Sequence, residues 1–138
     1  MLYKLLSGLA KGVTHCIFRV KVVGKENVPK DGVMILAVNH KSNWDPIFAG
    51  AYCPRPLRFM AKADLFKNKL FGGLIKKLGA FPIQRGRGDI GAIKGAFSIL
   101  KNNDAMLIFP EGHRIKNGKR VKAKLGVSMI DVYAEVPV

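Results

Sequence analysis

From the first residue onward, apolar positions recur at helical spacing. Leu2, Leu5, Leu6, Leu9, Val13 and Ile17 fall on one face, with Lys4, Lys11 and His15 on another. The spacing predicts an amphipathic helix over residues 1–17. It either packs on its own domain or lies in a membrane interface with lysines toward lipid headgroups. Lys4 and Lys11 interrupt the run well short of the roughly eighteen apolar residues of a span, and no small-residue cleavage site follows. Neither a spanning helix nor a signal peptide is therefore expected.

The period then shortens. Residues 18–23 alternate and predict a strand, ended by a turn-rich stretch from Gly24 to Gly32. Residues 33–38 are continuously apolar, as in a strand covered on both faces. Asp45 followed by Pro46 predicts a helix cap and a proline in the first turn. Residues 57–61 predict a strand, and 64–78 a helix through Leu65, Phe66, Leu70, Phe71, Leu74, Ile75 and Leu78, stopped by Gly79. Residues 80–83 form a short strand whose Pro82 favours a sheet edge. A second amphipathic helix covers 89–101, a buried strand 106–109, a weaker helix 125–133, and a last strand begins at Val136.

Strands alternating with helices define an α/β domain with a mostly parallel sheet flanked by helices, over residues 18–138 behind the helix at 1–17. Because the chain stops as an apolar strand begins, a C-terminal part of the domain is expected to be missing. The 138 residues are 49% hydrophobic and 24% charged, which excludes a disordered chain, a collagen and a coiled coil. Two cysteines, Cys16 and Cys53, cannot build a disulfide scaffold or a cysteine-rich zinc site. The formal charge of +15 changes the picture most. It calls for an anionic partner: phosphate, an acidic protein, nucleic acid or an anionic lipid surface.

The polar residues sit at strand ends. His40 follows the second predicted strand, Lys62 the third, Arg85 the fourth and Glu111 the fifth. Open parallel sheets bind ligands outside the carboxyl ends of their strands, so these four would share one rim. Within residues 39–45, His40 and Asp45 lie five apart. A carboxylate on one ring nitrogen fixes the tautomer while the other nitrogen takes a proton. The plainer alternative is a helix-capping Asp45 beside a surface histidine. No G-x-S-x-G elbow is present, which disfavours a serine nucleophile. In residues 109–114, Gly112 allows a turn or a close ligand approach, and Glu111 can accept from hydroxyls. His113 raises a metal, but three scattered histidines without H-E-x-x-H give no ligand pattern. Arg114, Lys116, Lys119, Arg120, Lys122 and Lys124 form a basic cluster that is either a solvated loop or a phosphate, carrier-protein or lipid contact. Arg85 opens Arg85-Gly86-Arg87-Gly88, suited to grasping phosphate through bidentate bonds.

In this order, the segments resemble the glycerolipid acyltransferases, most closely the 1-acyl-glycerol-3-phosphate (lysophosphatidic acid) type. His40 and Asp45 match the family's H-x-x-x-x-D. Residues 81–85 (Phe-Pro-Ile-Gln-Arg) match its second block, and residues 109–114 (Phe-Pro-Glu-Gly-His-Arg) its F-P-E-G-T-R. Val136-Pro137-Val138 would begin the fourth. His113 replaces the usual threonine, Ile115 a frequent serine, and Gln84 a frequent aspartate. The resemblance implies acyl transfer from acyl-CoA or acyl carrier protein to the hydroxyl of lysophosphatidic acid, giving phosphatidic acid. It implies His40 as general base, Asp45 as its orienting partner, and Arg85 on the acceptor's phosphate. Glu111 and Gly112 would position the glycerol, with Arg114 and Lys62 as further phosphate contacts. No metal or redox cofactor is implied, since the thioester is already activated. An enzyme of this kind is expected on the cytoplasmic face of the cell membrane, peripheral and in contact with anionic lipid. The rival readings are a non-catalytic basic module for anionic lipid or nucleic acid, and an inactive truncated acyltransferase. Few aromatics interleave with the basic run, so nucleic acid is not expected.

Overall fold

The computed structural model describes residues 2–83 and 90–115. Four strands, β1 (Met34–Ala37), β2 (Leu57–Lys62), β3 (Ala80–Ile83) and β4 (Ala105–Ile108), form one all-parallel sheet in the order β1-β4-β2-β3. The helices are α1 (Leu2–Ile17), α2 (Asp45–Tyr52), α3 (Lys69–Lys77) and α4 (Ile90–Lys101). This is the expected α/β architecture. β3 lies at an edge, where Pro82 costs no shared ladder bond.

Strand parity divides the core into two layers. Ile35, Met106 and Ile108 pack with Ala96 and Leu100 of α4, while Met34, Leu57, Ala105 and Leu107 meet Ala49 and Cys53 on the α2 side. β4, central and buried at all four positions, contributes to both. That explains why its sequence is apolar without alternation.

Three expected elements differ. Residues 18–23 are not a strand. Among the described residues their backbone makes only local bonds, Phe18 N–H to the Thr14 carbonyl (2.8 Å) and Val20 N–H to the Phe18 carbonyl (3.1 Å), and no ladder pairing. Val20 and Val22 instead line a groove with Leu36, Val38 and α2, over the face of the sheet rather than along its edge. The helix expected over 64–78 breaks into a 3₁₀ turn at Ala63–Phe66 and α3. Asn68 causes the break by accepting at its side-chain oxygen from the N–H groups of Leu70 (3.1 Å) and Phe71 (3.0 Å). Asp45 is not the cap of α2. Trp44 takes that position with no side-chain bond, and the Asp45 carboxylate turns elsewhere. The helix expected at 125–133 and the strand at 136 lie outside the described residues.

Gly79 joins α3 to β3 with φ at +98°, and a Cβ there would stand 2.6 Å from the Leu57 carbonyl oxygen. Gly79→Ala is expected to destabilise the domain by about 1–3 kcal/mol, because both the left-handed backbone and the contact resist a side chain. Denaturant midpoints measure this.

α1 packs on its own domain, but through its polar stripe. The Tyr3 hydroxyl donates to the Gly50 carbonyl (3.0 Å) and the Ser7 hydroxyl to the Ala51 carbonyl (3.0 Å). Buried Thr14 shares a 2.9 Å hydrogen bond with the Tyr52 hydroxyl. The apolar stripe faces outward: Leu5 is 70% exposed and Leu9 64%, with Leu2, Val13 and Ile17 also exposed. Among the described residues, no helix is long and apolar enough to cross a membrane.

Candidate active site

β1 and β4 are neighbours, so the loops that leave their carboxyl ends are neighbours too. The first carries His40 and the second Glu111. The Ile115 N–H donates to the His40 carbonyl at 2.7 Å and ties the loops together. The Gly112 N–H closes a turn on the Phe109 carbonyl (2.9 Å), with Gly112 at φ +69°. Lys62 ends β2, on the other side of β4.

The His40 Nδ1 lies 3.0 Å from the Asp45 Oδ2, and both side chains are largely buried. The same oxygen accepts from the backbone N–H groups of Lys41 (2.7 Å) and Ser42 (2.6 Å). Burial pushes the Asp45 carboxyl up, but the Ser42 N–H, the His40 ring and the Lys41 N–H outweigh it and hold it below the ordinary carboxylate value. An ionised carboxylate only accepts, so the neutral imidazole tautomer that matches it has its proton on Nδ1 and its lone pair on Nε2. The imidazole is also stacked on Phe109, with ring centroids 4.1 Å apart and planes 25° from parallel. Two rotational freedoms of the imidazole are thereby restricted, one by a carboxylate and one by a ring.

Because the folded value of Asp45 lies below the unfolded one, its contribution to stability is present above about pH 3.9, the usual carboxyl value. It is lost as pH falls through the folded value. The stability gap between the wild type and Asp45→Asn is therefore expected to be widest near neutrality and to close under acid. Urea midpoints across the pH range check it.

Glu111 is 6% exposed, and its Oε2 is buried with no hydrogen-bond partner among the described residues. A buried side-chain oxygen without a partner is costly, and it is a candidate to meet a polar group of a ligand. Arg114 is exposed beyond the turn. Lys62 lies on the rim as expected, but its ammonium is engaged by Asp64 at 2.6 Å, with Lys67 on the other oxygen at 2.8 Å. The two lysines hold the Asp64 carboxyl down to about 2. Lys62 is thus less available to a phosphate than its position suggested. Arg85 lies outside the described residues.

An open groove of about 500 Å³ runs between residues 20–25 and α2. Its walls include Val20, Val28, Leu36, Val38 and Phe48, and Asp45 reaches it. Sequence reasoning missed this groove, since its outer wall was read as a strand. It also missed the Lys41 and Ser42 donors and the Phe109 stack. Only the ring of Phe109 left a signal, as an aromatic two residues before Glu111.

An imidazole–carboxylate pair thus stands on the rim of a parallel sheet, with Glu111 on the neighbouring loop. The acyltransferase family pattern matches residues 19–138, and the chain belongs to that family. Among curated relatives, the 1-acyl-sn-glycerol-3-phosphate acyltransferase of Bacillus subtilis is 33% identical over 132 residues, 91% of this chain and 66% of its own length. The enzyme of the same name from Streptococcus pneumoniae is 41% identical over 105 residues, 75% of this chain and 40% of its own. The crystal structure of the 1-acyl-sn-glycerophosphate (LPA) acyltransferase PlsC from Thermotoga maritima superposes with a TM-score of 0.80 at 29% identity, covering 97% of this chain and 54% of that one. The chain thus spans between 40% and 66% of the length of these relatives.

Proposed function

We propose that the protein transfers a fatty acyl group from an acyl thioester, acyl-CoA or acyl carrier protein, to the free hydroxyl of lysophosphatidic acid, giving phosphatidic acid. The observation that carries this reading is the His40–Asp45 pair at 3.0 Å, with Glu111 on the adjoining loop, its Oε2 buried and unpartnered among the described residues. The names of the relatives support the same acceptor.

In this mechanism the acceptor hydroxyl attacks the thioester carbonyl carbon as His40 Nε2 removes its proton. Asp45 orients the ring and stabilises the imidazolium. The tetrahedral oxyanion collapses, the carbon–sulfur bond breaks, and the leaving thiolate takes the proton from His40. Glu111 accepts from the glycerol, and the turn at Gly112 lets the backbone approach it. Arg85 and Arg114 hold the phosphate, and Lys62 joins them only by leaving Asp64. The groove beside Asp45 is apolar and within the range of about 300–1,000 Å³ usual for ligand sites, so it suits an acyl chain. No metal or redox cofactor has a role, because the thioester supplies the activation.

The outward stripe of α1, with Leu5 and Leu9 more than half exposed, suits a peripheral seat on the cytoplasmic face of an anionic membrane. A donor-by-acceptor assay on vesicles tests the function. A preference of about tenfold or more for lysophosphatidic acid over the same lysolipid without phosphate is expected from a charge-assisted phosphate site. Equal use of both acceptors overturns the assignment.

A further inference from the structure

Among the described residues beyond α1 and residues 18–23, the exposed large apolar side chains are Ile47, Leu65, Leu70, Phe71, Leu74 and Ile90. Their placement is not scattered. Ile47 lies in the first turn of α2, Leu65 in the 3₁₀ turn directly after β2, Leu70 and Phe71 in the first turn of α3, and Ile90 at the start of α4. In a parallel sheet every connecting helix begins where a strand ends. These five therefore ring the same end of the sheet as His40 and Glu111, and Leu74 follows one turn down α3. Leu70 is 89% exposed, an unusual position for a leucine with nothing to cover it.

The charges around this ring select the occupant. Residues 62–77 hold five lysines and one aspartate, and that aspartate is shared by Lys62 and Lys67. Lys69 is exposed in the first turn of α3 beside Leu70 and Phe71, whereas Lys76 and Lys77 are exposed in its last turn, toward the other end of the sheet. Lysines whose stems lie along apolar side chains and whose ammonium groups reach outward fit a headgroup layer. A second copy of a chain with net charge +15 would bring like charge to the contact.

We propose that Leu65, Leu70 and Phe71, flanked by Lys67 and Lys69, insert into an anionic lipid leaflet as a contact separate from α1, so that the carboxyl ends of the strands face the bilayer. This orientation rests on the acyltransferase reading only for its purpose: it opens the site toward a lipid acceptor. The contact itself is measurable without substrate.

The test is co-sedimentation of the full chain with phosphatidylglycerol-containing vesicles and with pure phosphatidylcholine vesicles. Wild type is compared with Leu70→Gln/Phe71→Gln, with Leu5→Gln/Leu9→Gln on α1, and with the four changes combined. The first pair is expected to weaken partition into anionic vesicles by about tenfold or more, with an unchanged melting temperature and unchanged turnover of short-chain, water-soluble substrates. The combined variant is expected to lose the product of the two factors, as separate contacts do. Unchanged partition of Leu70→Gln/Phe71→Gln overturns the proposal. So does a lowered melting temperature, which would mean that protein covers this face, or a change of oligomeric mass, which would make it a self-contact. If no acyl transfer occurs with any substrate while partition still follows the variants, the functional reading fails and the lipid contact stands.

Discussion

Replacing His40 by alanine is expected to cut acyl transfer by about 10²–10⁴-fold, the usual contribution of a positioned general base. Folding and vesicle binding should survive. The His40 side chain is mostly buried, but its structural contacts are few: the Asp45 carboxylate and the Phe109 ring. Its backbone carbonyl, which accepts from the Ile115 N–H, is untouched by the change. Asp45 would still be held by the N–H groups of Lys41 and Ser42, so its charge is not stranded. The loss should therefore appear in kcat rather than in KM for either substrate. Steady-state kinetics on mixed vesicles at matched vesicle-bound protein reads it.

Asp45→Asn is expected to be nearly as damaging, by about 10²–10⁴-fold in kcat, for a different reason. Asparagine keeps the size of the side chain but can offer an N–H to His40 Nδ1. The ring would then shift its own proton to Nε2, the atom that must accept one from the substrate. The same change costs an oxygen that now takes hydrogen bonds from His40, Lys41 and Ser42 at once. Part of the loss is thus a less ordered loop, and melting temperature separates this from the tautomer effect. Asp45→Glu retains the charge but lengthens the arm. It should recover only part of the activity, because three donors converge on a single oxygen position.

Much of the fold was legible because burial writes itself into the sequence. The unbroken apolar run at Ala105–Ile108 marks a central strand covered twice, and Pro82 marks an edge. The failures are informative. Alternation at residues 18–23 records that one side of the segment faces apolar surroundings, and it says nothing about whether the backbone finds a ladder partner. The apolar stripe of α1 was visible, but hydrophobicity alone left open whether it faces the domain or a membrane interface. The hydroxyls of Tyr3, Ser7 and Thr14 turn it away from the domain by reaching the carbonyls and the tyrosine of α2. Asn68 looked like a polar residue within one helix and is instead the cap that starts α3.

At the site, the side chains were legible and their supports were not. The spacing of His40 and Asp45 foretold their contact, and strand ends foretold that Glu111 would be close by. Backbone donors leave no trace in residue type, so the Lys41 and Ser42 N–H groups came only from the path of the loop. Lys62 stands at the rim its position along the chain foretold, and its pairing with Asp64, two residues away, was not legible in that position.

The central claim is that His40 draws the proton from an acceptor hydroxyl, and that the acyl group passes directly to that oxygen. The most direct measurement is thiol release from a radiolabelled acyl thioester, followed with lysophosphatidic acid and with its analogue lacking the free hydroxyl. Release is expected only with the hydroxyl-bearing acceptor, in step with labelled phosphatidic acid and with no label on the protein. Equal release with the deoxy analogue, or label retained on the chain, would contradict it.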